Sequence, residues 1–385
     1  MSRARDFADL ASSSSNISTV AADSANLDQV ASSYSAGGIT GKNLIINGGQ
    51  SISQRGTSIS VTTDSIYNAD RFLTRTYGGN GTYTVSTLQT DIPTVGDLYY
   101  STKYAVNSAA TDTGTYGYAI EQRIEGYNVS HLRLGRADAK QITLSFWVKS
   151  SVAGTYTGAI RTTSGEYSYV FEYTLSANTW TKVEKTISAL TGVTLSLLDE
   201  TNGIALFVSP INFGAQTSKS TATTDTWISG NYVFTSNQVD WMGTAGATCY
   251  ITGIQLEVGE QATPFEHRSY GDELTRCQRY YYQTTYRGAA DTTLLSGTVA
   301  SGTTAAQCGD SFPVTMRSAP AVGYSGSITA YDGSQNNTVT AITANGSSTT
   351  NATINVTAGT GLTTGRAVQI LSNASNEYLT FDAEL

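Results

Sequence analysis

Few residues in this sequence could perform covalent chemistry. The 385 residues include only two histidines, His131 and His267, and three widely spaced cysteines, Cys249, Cys277 and Cys308. A catalytic triad or a two-histidine metal site would have to draw on distant positions of the chain. The cysteine spacing fits neither a disulfide framework nor a metal knuckle. We therefore predict no catalytic residue, no metal site and no cofactor, with free thiols formed in a reducing cytoplasm.

Paired carboxylates are the remaining enzymatic option, because glycoside hydrolysis needs only two carboxyl groups at a suitable separation. Three pairs qualify by residue type alone: Glu121 with Glu125, Glu166 with Glu172, and Asp199 with Glu200. Any chain of this length supplies such pairs, and the sequence lacks the G-x-S-x-G and H-E-x-x-H motifs. We predict that the protein is not an enzyme, and a glycan-degrading activity is the alternative.

Side chains suited to binding sugars are abundant, since the chain contains 24 tyrosines and is rich in serine and threonine. Carbohydrate sites combine aromatic rings with hydroxyl and amide groups on a shallow surface. The aromatic candidates are Tyr99, Tyr100, Tyr104, Tyr116, Tyr118, Tyr167, Tyr169 and Trp227, of which we select Tyr116, Tyr118, Tyr167, Tyr169 and Trp227 as glycan-binding residues. Tyrosine is also common in sheets and subunit interfaces, so a structural role is the alternative for each.

The elements that must position these residues are predicted to be strands. The 37 glycines, few prolines and low charged fraction of 14% suit short strands and tight turns. Strand-like runs recur at Thr82–Leu88, Tyr116–Glu125, Ile142–Lys149, Tyr156–Thr162, Tyr167–Leu175, Thr179–Thr186, Ile204–Val208 and Thr248–Val258. Within Ile142–Lys149, alternation places Ile142, Leu144, Phe146 and Val148 on one face. This spacing predicts an all-β protein with a sandwich or barrel.

Charge and hydropathy exclude two classes of partner. The formal net charge is −8 and the isoelectric point is about 4.8. These values argue against nucleic acid or an anionic membrane as the main partner. No apolar run approaches the length of a membrane span, and the first residues contain no apolar signal core. We predict neither nucleic-acid binding nor membrane insertion.

Residues 1–40 differ from the rest of the chain, because pairs of apolar residues recur there every ten residues. The apolar positions are Phe7, Leu10, Ile17, Val20, Leu27 and Val30. Such a narrow stripe cannot bury itself, so it needs partner copies. It predicts a docking and oligomerisation segment. This segment is either a short parallel bundle of three helices, one from each copy of the chain, or an extended segment that orders on docking. A disordered serine-rich leader is the alternative.

The stretch from Cys249 to Tyr282 predicts a strand, a turn, a capped helix and a second strand. Simple alternation places Tyr250, Thr252, Ile254, Leu256 and Val258 on one face of the first strand. In the helix, Ser269 is the expected N-cap, with Asp272 and Glu273 in the first turn and Arg276 and Arg279 in the last. We therefore predict that this stretch is a joint between two β-domains.

The joint has the sequence ITGIQLEVG…ATPFEHRSYGDELTRCQRYY. This sequence closely resembles a segment shared by many tailed-bacteriophage fibre proteins. Two further elements resemble the same family: NLIING, QRGTS and ADRF in residues 43–72, and FPVTMRSAP in residues 312–320. Within the opening element, Gln50 stands where the family has a large apolar residue. Arg55, Arg71 and Arg317 are expected to brace the fold by bonding carboxylates or carbonyls.

The resemblance implies an order of domains. Residues 1–40 are the docking segment, 41–265 a jelly-roll-like sandwich similar to carbohydrate-binding modules, 266–282 a helical joint, and 283–385 a distal β-domain, expected to be a second sandwich. The tract Ser334–Gly361 is expected to include an exposed hairpin tip suited to displaying a receptor-reading surface.

The resemblance also implies a function. We expect a homotrimeric tail fibre of a phage virion, made in the host cytoplasm, which binds phage tail or capsid proteins through its N-terminal segment and a host cell-surface glycan. Trimerisation would cover exposed sheet edges, and three copies would add weak sugar contacts together. A fibre or decoration protein without a receptor role, and a glycan-degrading tail spike, are the alternatives.

Overall fold

The computed structural model describes residues 41–62, 66–111, 117–162, 166–195, 204–214, 217–284, 292–374 and 377–384. These residues form 22 strands and only short helices, which confirms the all-β prediction. The predicted N-terminal docking segment lies outside the described residues. Among the helices that the described ranges contain, none is long and apolar enough to cross a membrane.

Two antiparallel sheets form the first domain, with strands numbered along the chain. The six-stranded sheet has the order β1 (Ser58–Val61), β4 (Thr82–Leu88), β5 (Ser101–Ser108), β13 (Thr248–Val258), β7 (Ile142–Ser150) and β10 (Thr181–Ile187). The seven-stranded sheet has the order β12 (Trp227–Ser229), β9 (Tyr167–Leu175), β8 (Gly154–Thr162), β11 (Ile204–Gly214), β6 (Gly117–Glu125), β3 (Leu73–Thr76) and β2 (Ile66–Tyr67). A short helix, Gly126–Val129, and two 3-10 turns, Ser130–Leu132 and Thr217–Lys219, connect strands.

The two sheets enclose one apolar core, as a sandwich requires. The predicted inward face of β7 is confirmed: Ile142, Leu144, Phe146 and Val148 are all buried in this core. The interleaved order of the strands in the two sheets agrees with a jelly-roll-like arrangement. The predicted strand at Ile204–Val208 continues to Gly214.

Strand β13 departs from the predicted alternation, because it contains a bulge. Its register with β7 shifts between Thr252 and Gln255, and Gly253 within the bulge has a φ of +61°. The extra residue returns the next side chain to the core face, so Ile251 and Ile254 are both buried in the core. The prediction that Ile254 shares a face with Thr252 is therefore wrong, because simple alternation ignores the bulge.

The distal domain is a closed barrel with a small sheet beside it, and not the expected second sandwich. The barrel order is β15 (Thr292–Ser301), β16 (Ala305–Ser311), β20 (Asn351–Ala358), β19 (Asn336–Ser347), β18 (Thr329–Tyr331) and β21 (Ala367–Ser372). The small sheet has the order β14 (Tyr281–Gln283), β22 (Tyr378–Asp382) and β17 (Ala321–Ser325). Closure removes the exposed edges that an open sheet would leave.

The serine- and threonine-rich tract is a hairpin, as expected, but its turn is held in place. Strands β19 and β20 pair within the barrel wall. The carbonyls of Thr349 and Thr350 in the turn accept hydrogen bonds from the backbone N–H groups of Met316 (2.7 Å) and Phe312 (3.0 Å). Ser348 and Thr350 at the tip are exposed, as expected, and the tip is also tied to the FPVTMR element.

The joint helix, Tyr270–Gln278, has the predicted cap: the Ser269 hydroxyl accepts a hydrogen bond from the backbone N–H of Asp272 (3.2 Å). The expected bracing role of the arginines is also confirmed. Arg55 and Arg71 of the sandwich both pair with Glu384 near the end of the distal domain. Arg317 donates to the carbonyls of Ala383 (2.8 Å) and Glu384 (3.2 Å). The ion pairs of Arg55 and Arg71 fasten the C-terminal segment against the sandwich, and the bonds of Arg317 hold it to the FPVTMR element.

Glu125 at the end of β6 gives this junction a pH dependence. It accepts hydrogen bonds from Arg279 (3.0 and 2.9 Å) and from the Tyr280 hydroxyl. Burial raises the pKa of Glu125, but the hydrogen bonds from Arg279 and Tyr280 outweigh burial and leave its pKa below the usual value of 4.5. A lowered pKa means that the carboxylate stabilises the fold above the unfolded pKa and stops doing so as the pH falls through the folded pKa.

We therefore expect the difference in unfolding free energy between the wild type and Glu125→Gln to be largest near neutral pH and to shrink below about pH 4.5. Urea unfolding at a series of pH values measures this difference. The control Glu184→Gln changes an exposed carboxylate paired with Lys182, and it should have little effect at any pH. A wild-type advantage over Glu125→Gln that grows as the pH falls would contradict the prediction.

Candidate functional site

The selected glycan-binding residues are not gathered into one site. Tyr116 lies outside the described residues. Tyr118 and Tyr169 are 2% and 3% exposed and pack in the sandwich core, so neither ring is the open platform that the prediction required. Both side chains point into the core. The pattern of apolar and polar residues along these two strands did not show which face is buried. For Tyr118 and Tyr169 the structural alternative is correct.

Tyr167 and Trp227 lie closer to solvent but also have packing partners. Both are half-buried and pack against the edge of the sandwich core. The Trp227 indole N–H donates a hydrogen bond to the Ser188 carbonyl (2.7 Å), and its ring lies edge-on to Tyr169 at 5.6 Å. These contacts fix the Trp227 ring on the short edge strand β12. They leave only part of the ring for a ligand.

A groove where the sandwich meets the joint brings together a different set of aromatic residues. Its volume is about 330 Å³. Its aromatic lining consists of Tyr99, Tyr100, Phe265, His267 and Tyr270, and its polar lining includes Ser51, Asp97, Glu266, Arg268 and Glu273. Tyr99 is 71% exposed and Tyr270 is 64% exposed. Two largely exposed tyrosine rings thus lie on one groove that also presents carboxylates and hydroxyl groups.

The loop between β4 and β5 positions Tyr99. Leu98 is buried, and a side chain at Gly253 would come within 2.8 Å of Leu98 Cδ1. The absence of a side chain at the β13 bulge therefore makes the space that Leu98 fills. Half-buried Trp147, on the face of β7 opposite its core residues, borders the same space. With Leu98 anchored, the adjacent Tyr99 is held at the groove.

The joint positions the opposite lining of the groove. Phe265 and His267 form an edge-on pair with ring centroids 5.0 Å apart. The Arg268 side chain is 5% exposed and donates to the carbonyls of Ile45 (3.0 Å) and Asn43. Glu273 accepts the backbone N–H of Asn47 (2.6 Å). The joint is thus bonded to the NLIING segment, which fixes Tyr270 at the start of the joint helix.

Gln50 is a polar residue at a position where the phage-fibre segments that this opening segment resembles have a large apolar one. Its side chain is fully buried, donates to the Asn47 carbonyl (3.0 Å) and accepts a hydrogen bond from Thr102 (2.7 Å). A buried amide is tolerated when its polar atoms find partners. The segment beside the groove therefore packs without an apolar residue at this position.

The chemistry available in the groove is recognition through rings and hydrogen bonds. Within the described part of the chain, no group of three or more His, Cys, Asp or Glu side chains could hold a metal ion. Glu273 already accepts bonds from Asn47 and Arg268.

Sequence reasoning included Tyr99 among its wider aromatic candidates but missed Tyr270. The available signal was that Tyr270 directly follows the N-cap Ser269, a position that faces solvent on a short helix.

Comparisons with known proteins identify no relative by sequence: no protein-family model matches the chain, and no curated protein matches it. The tailspike protein 4 enzymatically active domain of bacteriophage CBA120 is 15% identical, with a TM-score of 0.29 over 57% of this chain and 22% of that one. A CBM4 structure is 13% identical, with a TM-score of 0.28 over 55% and 98%.

A third solved structure, the CBM22-1 xylan-binding domain from Paenibacillus barcinonensis Xyn10C, is 9% identical, with a TM-score of 0.27 over 57% of this chain and 96% of that one. The chain therefore spans about a fifth of the tailspike domain and nearly all of the two smaller structures. At TM-scores this low, these similarities assign neither a family nor a function to this chain.

Proposed function

We propose that this chain is a glycan-binding fibre protein of a phage virion, a homotrimeric tail fibre that attaches through its N-terminal segment and adheres to host surface glycans. The observation that carries the binding part is the pair of largely exposed tyrosines, Tyr99 and Tyr270, on one groove. The phage part depends on the resemblance of the joint, the opening element and the FPVTMR element to tailed-phage fibres.

The physical argument for a sugar ligand rests on the exposed tyrosine rings and the polar groups that line the groove. An exposed tyrosine ring offers an apolar face to the C–H side of a pyranose and a hydroxyl to its polar edge. Polar groups of Ser51 and Asp97 line the same groove and can orient the ligand. Buried Leu98 and the hydrogen-bonded Arg268 side chain anchor the groove, so binding costs little ordering of the protein.

The groove predicts the effect of removing either ring. Tyr99→Ala and Tyr270→Ala should each weaken adhesion of the full chain to host cells about tenfold per site, the order expected for truncating an aromatic anchor. Flow cytometry of the labelled protein on host cells measures adhesion. Tyr127→Ala is the matched control, because Tyr127 is 55% exposed but does not line the groove. Equal binding by all three variants and the wild type would contradict the proposal for this groove.

The oligomeric part of the proposal has a separate test. Light scattering coupled to gel filtration gives the molar mass of the full chain and of a variant that lacks residues 1–40. Three copies in both would support a trimer held by the β-domains with the N-terminus free to dock. One copy in both would contradict the trimeric fibre and would favour the decoration-protein alternative.

We propose binding without hydrolysis. The groove contains the carboxylates of Asp97, Glu266 and Glu273, but Glu266 accepts the backbone N–H of Asn43 (2.8 Å) and Glu273 that of Asn47. Carboxylates held this way serve the fold. Release of reducing sugar ends from host polysaccharide during incubation with the full chain would favour the tail-spike alternative.

A further inference from the structure

A second cluster of aromatic and charged side chains lies on the six-stranded sheet, at the start of the loop that anchors Tyr99. We name it the lysine–aromatic patch; its members are Asp91, Lys103, Lys149, Trp180 and Tyr250. Strands β5, β7 and β13 supply Lys103, Lys149 and Tyr250 from adjacent positions, since Tyr250 pairs with Lys103 on one side and Lys149 on the other. Neither the groove nor any predicted site includes these residues.

The two rings of the patch are held in place. Trp180 and Tyr250 meet edge-on with centroids 6.2 Å apart. The Lys149 ammonium lies 4.4 Å from the Tyr250 ring centroid and 5.5 Å from that of Trp180, and it pairs with Asp91. Asp91 also accepts the Trp180 indole N–H at 3.4 Å. Both rings are half-buried, so a face or edge of each remains accessible.

Lys103 differs from Lys149 in its charge partner. Its ammonium lies 5.7 Å from the Tyr250 ring centroid, and none of the ion pairs found among the described residues involves it. Two lysines against one aspartate leave the patch with one excess positive charge, whereas the whole chain carries −8. A local cation beside two fixed aromatic rings suits a ligand that combines a ring with a negative charge.

We propose that the lysine–aromatic patch binds an acidic saccharide, with the sugar carboxylate at Lys103 and the sugar ring against Tyr250 and Trp180. The inference rests on the proposed glycan-binding function and assigns a charge class to one of its ligands. A uronate and a sialate share this chemistry. One excess positive charge suits a single sugar carboxylate, whereas a nucleic acid is bound through contacts to several phosphates.

The test compares each acidic saccharide with its own methyl ester, because the ester keeps the ring and removes the charge. The probes are a trigalacturonate and a sialyllactose, each as the free acid and as the ester, immobilised for binding by the full chain. We expect the free acid of one of the two sources to bind about tenfold more tightly than its ester, the order expected for one charge-assisted hydrogen bond.

Variants then assign the preference to the patch. Lys103→Gln should abolish the preference for the free acid, and Lys103→Arg should retain most of it. Lys140→Gln is the matched control, since Lys140 is a partly exposed lysine that precedes β7 and lies outside the patch. Circular dichroism verifies that each variant is folded.

The outcomes separate this inference from the proposed function. Three results would each contradict the proposed binding at the patch. They are equal binding of acid and ester, no binding of either acid, and an acid preference that survives in Lys103→Gln. If host-cell adhesion that depends on Tyr99 and Tyr270 persists in that case, the proposed function stands without the inference. If the preference for the free acid is absent and the protein does not adhere to host cells at all, the proposed function is contradicted as well.

Discussion

Replacing Arg71 with methionine is expected to lower the free energy of unfolding by about 3–5 kcal/mol, the cost of breaking a buried ion pair from one side. The Arg71 side chain is 1% exposed and pairs with Glu384, which is 6% exposed. Its guanidinium lies 3.5 Å from the Tyr280 ring centroid and donates to the Arg123 carbonyl (2.6 Å). Methionine fills similar space but leaves the Glu384 carboxylate and the Arg123 carbonyl without this donor.

Urea unfolding followed by tryptophan fluorescence measures this effect in the sandwich, because all four tryptophans precede residue 283. The matched control is Arg133→Met. Both arginines have a positive φ, 73° for Arg71 and 54° for Arg133, so the backbone effect of the substitution is shared. Arg133 is half-exposed and pairs with exposed Asp138, and its loss should cost at most about 1 kcal/mol. Similar midpoints for the two variants would refute the bracing role of Arg71.

Replacing Gly48 with alanine is expected to destabilise the protein by about 3 kcal/mol, at the upper end of the usual range for overpacking. A Cβ at position 48 would lie 2.0 Å from the carbonyl oxygen of Ile254. The same segment is fixed there by two hydrogen bonds, from the Ile254 N–H to the Gly48 carbonyl (3.0 Å) and from Asn43 to the Ile254 carbonyl (3.1 Å). Relief of the clash must therefore displace the opening segment from β13.

Gly271→Ala is the control for this substitution. Gly271 lies in the joint helix, and apart from its chain neighbours and the backbone of its own helix nothing lies within 4 Å of the position that its Cβ would take. Alanine favours a helix over glycine, so this variant should be neutral or stabilised by up to about 1 kcal/mol. Thermal unfolding of both variants measures the contrast. A Gly48→Ala variant as stable as the wild type would show that the NLIING segment moves freely away from β13.

The contact between Gly48 and Ile254 lies next to the β13 bulge, which supports Leu98 and the adjacent Tyr99. Gly48→Ala should therefore also weaken adhesion through Tyr99 and Tyr270. Gly48 contacts the strand at Ile254, and Leu98 fills the space beside Gly253 one residue earlier. Displacement of the bulge would move Leu98 and hence Tyr99. Adhesion to host cells therefore provides a second readout of the same variant.

The sequence by itself determined the fold class and most of the strands of the sandwich. Alternation identified the core face of β7, because Ile142, Leu144, Phe146 and Val148 follow a strict period of two and β7 has no bulge. Local capping chemistry determined the joint helix, because Ser269 and Asp272 meet within one turn. The bracing roles of Arg55, Arg71 and Arg317 were inferred from family resemblance.

Only the tertiary structure decided which tyrosines face solvent and where they meet. Tyr118 and Tyr99 have the same side chain, and their burial depends on strand register and on the loop that Leu98 anchors. Tyr99 and Tyr270 are 171 positions apart, and the bonds that join the opening segment to the joint bring them to one groove. Barrel closure and the β13 bulge likewise depend on pairing between distant strands, which local periodicity does not encode.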